Sequence, residues 1–152
     1  MTIKVALAGA GAFGIKHLDG IKNIDGVEVV SLISRDLAKT QEVADKYGIK
    51  HVTTDLADSL AIKEVDAVIL CTPTQMHAAQ SKACLEAGKH VQVEIPLCDI
   101  LAEGEEIVAL QKQVGKVAMC GHTRRFNPSH QYVHKKIQAG EFNIQQMDVQ
   151  TY

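Results

Sequence analysis

Val5-Ala6-Leu7-Ala8-Gly9-Ala10-Gly11-Ala12-Phe13-Gly14 decides how the rest of the chain is read. Four apolar residues in succession suit a strand covered on both faces. The G-x-G-x-x-G from Gly9 to Gly14 then suits a strand-to-helix turn that holds a dinucleotide. In that pattern Gly9 permits the tight turn and Gly11 lets the backbone approach a pyrophosphate. Gly14 brings the helix close to the strand. Ala12 and Phe13 stand in the first turn of the helix, whose free N–H groups carry about half a positive charge. Three spaced glycines alone are also an ordinary glycine-rich turn. The strand before them and the helix after them give the motif its meaning.

Outward from this stretch one pattern recurs: a helical segment, then Gly, then a β-branched run. It appears at Gly26, Gly48, Gly88, Gly115 and Gly140. Glycine just past a helix end takes the left-handed conformation that other residues resist. Helix alternating with strand implies a parallel sheet with crossover helices. Strands are expected near 3–8, 27–33, 50–53, 66–71, 90–94 and 116–120. Helices are expected near 12–24, 36–47, 56–62, 75–87, 99–114 and 128–139. Ile107, Leu110 and Val114 give the fifth helix its apolar stripe. Residues 143–152 alternate loosely (Ile144, Met147, Val149) and read as a further strand. Nothing in the sequence follows that strand to cover its edge. It either pairs elsewhere or begins a longer structure.

Composition narrows the function classes. The 152 residues are 46% hydrophobic and 22% charged, ordinary for one globular domain. A net charge of -2 and 4% aromatics leave no electrostatic or stacking footprint for nucleic acid or an anionic membrane. No apolar run reaches the ~18 residues that span a bilayer. A signal peptide is not evident, so a cytoplasmic location is expected. Cys71, Cys84, Cys98 and Cys120 are widely spaced and read as reduced, small core residues.

The candidate site residues fall at strand ends. An NAD site has an acid about 20 residues past the glycines, on the ribose 2′-hydroxyl. Here Ser34 and Arg35 stand at the end of the second strand, and both can bond a 2′-phosphate. NADP is therefore the expected cofactor, with NAD the alternative if Asp36 is the ribose acid. The fourth strand ends in Cys71-Thr72-Pro73, at the edge where open α/β sheets bind ligands. Thr74 is placed to cap the next helix. His77, in its first turn, reads equally as a cofactor contact or a helix-end hydrogen bond. Glu94 ends the fifth strand, and the proline after Ile95 suits a fixed, cis peptide. His122, Arg124 and Arg125 follow the sixth strand and suit a carboxylate or phosphate. A solvated cationic loop is the alternative for them. His130 and His134 are spaced i, i+4 but lack a companion ligand, and no metal site is expected.

Together these residues resemble the glucose–fructose oxidoreductase / inositol dehydrogenase (Gfo/Idh/MocA) family. The marks are the fingerprint at 8–14, Thr72-Pro73 with His77, Ala87 to Leu97, and Arg124-Arg125-Phe126-Asn127-Pro128. The resemblance spans essentially the whole chain. It implies a Rossmann-type, doubly wound α/β domain over 1–123. Residues 124–152 would be a connecting helix and the first strand of an α+β domain for substrate and oligomer contacts. Further residues of that domain would supply the acid–base pair and homo-oligomer interfaces.

Within the family, the stretches 13–20, 93–97, 121–130 and 141–150 are most similar to a dehydrogenase of bacterial aromatic catabolism. This implies a small carboxylated semialdehyde as substrate, oxidised as its cyclic hemiacetal to a pyrone dicarboxylate. Most of the family has Glu-Lys-Pro with a catalytic lysine where this chain has Glu94-Ile95-Pro96. Lysine-dependent sugar or polyol oxidation is thereby put in doubt. A non-catalytic NADP-binding module is the rival reading.

Overall fold

The computed structural model describes residues 2–148. Two compact units divide the chain, Met1–Gly121 and His122–Tyr152.

The first unit alternates strand and helix throughout: β1 (Ile3–Ala8), α1 (Ala12–Ile21), β2 (Val27–Ile33), α2 (Leu37–Tyr47), β3 (His51–Thr53), α3 (Leu56–Leu60), β4 (Ala67–Leu70), α4 (Thr74–Glu86), β5 (His90–Glu94), α5 (Leu101–Val114) and β6 (Ala118–Gly121). All strand pairings are parallel, in the order β3-β2-β1-β4-β5-β6. This is a Rossmann-type, doubly wound sheet. The order reverses between β1 and β4, and a crevice opens at the carboxyl ends of strands on either side of such a point.

The strand period of two sorts the core into two layers. Leu7 and Leu32 pack with Leu18, Ala44 and Ile49. Ala6, Ala8, Val68, Leu70, Val91 and Val93 pack with Leu85 and Ile107. Leu110 and Val114 join the second layer, so the stripe expected on α5 is the face it buries. Gly48 and Gly115 end α2 and α5 in the left-handed region, φ 71° and 66°. Among the described residues, no helix is long and apolar enough to cross a membrane.

The second unit holds a short 3-10 turn (Thr123–Phe126) and α6 (Pro128–Gln138), which starts on proline with Asn127 capping Ser129. The strand expected over 143–152 does not form across 143–148, which run without regular structure. An alternating segment becomes a strand only beside a partner, and the described residues of this unit contain no other strand. Residues 149–152 of that expectation lie outside the described residues.

Candidate nucleotide site

The glycine loop is built by close approach. Gly9 has φ 106°, and a Cβ there would lie 2.3 Å from the Cys71 carbonyl oxygen. A Cβ on Gly14 would lie 1.8 Å from the Gly9 carbonyl oxygen, so α1 can seat against the loop only through glycine. A Cβ on Gly11 would meet nothing within 4 Å. That open side of the backbone is where a phosphate can come close. Gly11 is also the N-cap of α1 and makes no side-chain cap bond. The first amides of α1 thus keep their hydrogen-bonding capacity for an anion.

A cavity of about 500 Å³ opens from this loop. Its lining joins Gly9 and Gly11 to Ser34 and Arg35 on one side, and to Cys71, Thr72 and Pro73 on the other. The volume falls in the range of small-molecule sites. Arg35 is exposed and has no ion pair among the described residues. Asp36 is committed elsewhere. Its carboxylate caps α2 by accepting the Lys39 N–H at 3.2 Å and lies 3.4 Å from Lys39 Nζ. The Lys39 amide holds this carboxyl below the usual carboxylate range.

Other sequence candidates sit apart from the cavity lining. Ala12 and Phe13 are exposed, with Lys16 Nζ 4.9 Å from the Phe13 ring centre. His77 is 1% exposed. Its Nδ1 lies 2.7 Å from the Pro96 carbonyl and its Nε2 2.8 Å from the Thr72 carbonyl. The ring therefore ties the turn after β4 to the turn after β5. Thr74 does not cap α4: Pro73 is the N-cap and no side chain bonds there. Proline already lacks an N–H and fixes the entry angle. Thr72 instead donates its hydroxyl to Gln80 Oε1, at 2.5 Å. The Ile95–Pro96 peptide is cis, and Ile95 is 46% exposed.

Glu94 ends β5 with 9% exposure. Its Oε1 lies 2.8 Å from His17 Nε2, and Gln92 donates to the same oxygen at 3.4 Å. The sequence does not single out His17. It sits 77 positions from its partner. The available signal was its place three residues after Gly14, on the helix face that the close seating turns inward. Of the four cysteines only Cys84 is fully buried; Cys71, Cys98 and Cys120 are half-buried, contrary to a core role for all four. Burial, and then the Glu94 carboxylate, push the Cys71 thiol up to about 12.

His122, Arg124 and Arg125 lie in the second unit. All three are exposed, and none has an ion pair among the described residues. His130 and His134 on α6 are exposed as well.

Residues 3–122 match the model of an oxidoreductase family with an NAD-binding Rossmann fold. Residues 128–152 match the C-terminal model of bacterial oxidoreductases. The chain is 67% identical over 150 residues to the 4-carboxy-2-hydroxymuconate-6-semialdehyde dehydrogenase of Sphingobium sp. SYK-6, covering 99% of this chain and 48% of that one. It thus spans about half the length of the curated relatives it matches. Among solved structures, scyllo-inositol dehydrogenase from Lactobacillus casei with bound NAD(H) and scyllo-inositol superposes with a TM-score of 0.87 at 26% identity, covering 93% of this chain and 42% of that one. A 3-ketoreductase from Actinomadura kijaniata in complex with TDP-benzene and NADP gives 0.85 at 25% identity, over 92% and 44%.

Proposed function

Because this chain belongs to the Gfo/Idh/MocA oxidoreductase family, we propose that it binds the nucleotide of an NADP-dependent dehydrogenase. The substrate we propose is the cyclic hemiacetal of 4-carboxy-2-hydroxymuconate-6-semialdehyde, and the product is 2-pyrone-4,6-dicarboxylate. One observation carries the cofactor reading: a single crevice joins the glycine loop to Ser34 and Arg35, while Asp36 is spent on capping α2. Gly9, Gly11 and the start of α1 would hold the pyrophosphate. Ser34 and Arg35 would hold the 2′-phosphate, and Thr72, Pro73 and Glu94 the nicotinamide ribose.

When bound, the nicotinamide supplies the hydride acceptor. The hemiacetal carbon gives up its hydrogen with the electron pair, its hydroxyl gives up a proton, and the lactone carbonyl forms. Ile95 has no group that could take this proton. A hemiacetal hydroxyl is more acidic than that of an ordinary alcohol, so a weaker or more distant base can serve. The identity of 67% to the named dehydrogenase supports this choice of substrate. Residues 124–152 would begin the substrate and homo-oligomer domain, with His122, Arg124 and Arg125 facing the substrate carboxylates in a cytoplasmic enzyme.

The test is turnover of the hemiacetal by the protein carrying this chain, followed by absorbance of reduced nicotinamide. Formation of the pyrone dicarboxylate with NADP⁺ is expected. The double variant Arg124→Ala, Arg125→Ala is expected to raise KM more than it lowers kcat. Absence of turnover with either nucleotide would overturn the substrate assignment.

A further inference from the structure

Three elements of the first unit bring unlike donor atoms to one place. His17 comes from α1, Cys71 from the turn after β4, and Glu94 from the end of β5. One imidazole nitrogen, the thiol sulfur and one carboxylate oxygen lie within 4.8 Å of one another, the one such cluster among the described residues. We propose that His17, Cys71 and Glu94 form a binding site for one thiophilic divalent cation of the zinc type.

The donor set selects the class of ion. Mg²⁺ and Ca²⁺ take oxygen ligands. A nitrogen–sulfur–oxygen set suits Zn²⁺ or its stand-in Co²⁺. Distances are compatible as well. Bonds of about 2.3 Å to sulfur and about 2.0 Å to nitrogen and oxygen place tetrahedral ligand atoms about 3.5 Å apart. His17 Nε2 and Glu94 Oε1 now stand 2.8 Å apart, so they must separate by several tenths of an ångström while the sulfur closes in. Side-chain torsions alone supply movements of that size. The His17 and Glu94 side chains are only 22% and 11% exposed, so both start from held positions. Cys71 also lines the crevice, which leaves the fourth position open to solvent. On binding, the Cys71 S–H bond breaks, its proton leaves to solvent and a sulfur–metal bond forms, with no change of oxidation state. Removing that proton costs binding energy, since burial favours the neutral thiol. No sequence spacing announces such a site, because its ligands lie on three separate segments.

The experiment adds Co²⁺ alone to the protein, without nucleotide, and follows optical absorption. A thiolate-to-cobalt charge-transfer band saturating at one equivalent is expected, abolished by Zn²⁺ and untouched by Mg²⁺. Cys71→Ser is expected to remove the band and Cys98→Ser to keep it. His17→Gln is expected to weaken Co²⁺ binding at least about tenfold. It also decides the matter if circular dichroism shows Cys71→Ser unfolded. No band, a band that survives Cys71→Ser, or unchanged affinity in His17→Gln overturns the proposal. With nucleotide absent, the outcome is separate from that of the NADP reading.

Discussion

The two units of the chain hold their chemistry in different ways. Every buried apolar side chain among the described residues lies in the first unit, between Val5 and Ile107. The described residues of the second unit include none that is buried, while Phe126, Tyr132 and Met147 are 76%, 60% and 74% exposed. In the first unit, polar side chains are held by what packs around them: His77 between two carbonyls and Glu94 by His17. In the second, the arginines stand on an open surface. A prearranged crevice and an exposed cationic segment therefore sit on consecutive segments of one sequence. Only the first has its geometry set by its own core.

Substitutions can break this contrast or sharpen it. The largest effect is expected from His77→Ala. It empties a buried site and removes the ring N–H set between the Thr72 and Pro96 carbonyls, so urea denaturation should show a loss of about 3 kcal/mol. Gly14→Ala comes next. Its Cβ would collide with the Gly9 carbonyl, and the same measurement should show a loss of about 1–3 kcal/mol together with weaker nucleotide binding.

A smaller effect belongs to pH. Burial holds the Cys71 and Cys84 thiols neutral up to about 12, against an ordinary value of 9.0. Unfolding above about pH 9 therefore releases protons, and rising pH favours the unfolded chain. Thermal scans from pH 9 to 12 should show falling stability, with a shallower fall in Cys84→Ala. The smallest effect is expected in the second unit. Tyr132→Ser should change stability by less than about 0.5 kcal/mol. A loss of several kcal/mol there would show that the second unit has a core of its own.

Most of the first unit was legible because its signals are local. A glycine after most of the helices and apolar strands mark the elements, and the glycine fingerprint marks the crevice. What stayed hidden depends on contacts between distant segments. The His17–Glu94 pair joins residues 77 apart, and no local period links them. The contact of the His77 ring with the Pro96 carbonyl joins residues 19 apart and is equally invisible to a local pattern. Thr74 looked like a cap, but the proline before it had already set the start of the helix. The alternation after Gly140 was a real pattern without a neighbouring strand to pair with across its described part.

The central claim is that the Ser34–Arg35 end of the crevice reads a 2′-phosphate. Calorimetric titration with NADP⁺ and with NAD⁺, on the native chain and on Arg35→Ala, tests it most directly. The account predicts NADP⁺ binding roughly ten- to hundredfold tighter than NAD⁺, the worth of one hydrogen bond to a charged group, with the preference lost in Arg35→Ala. Tighter binding of NAD⁺, or a preference untouched by Arg35→Ala, would contradict it.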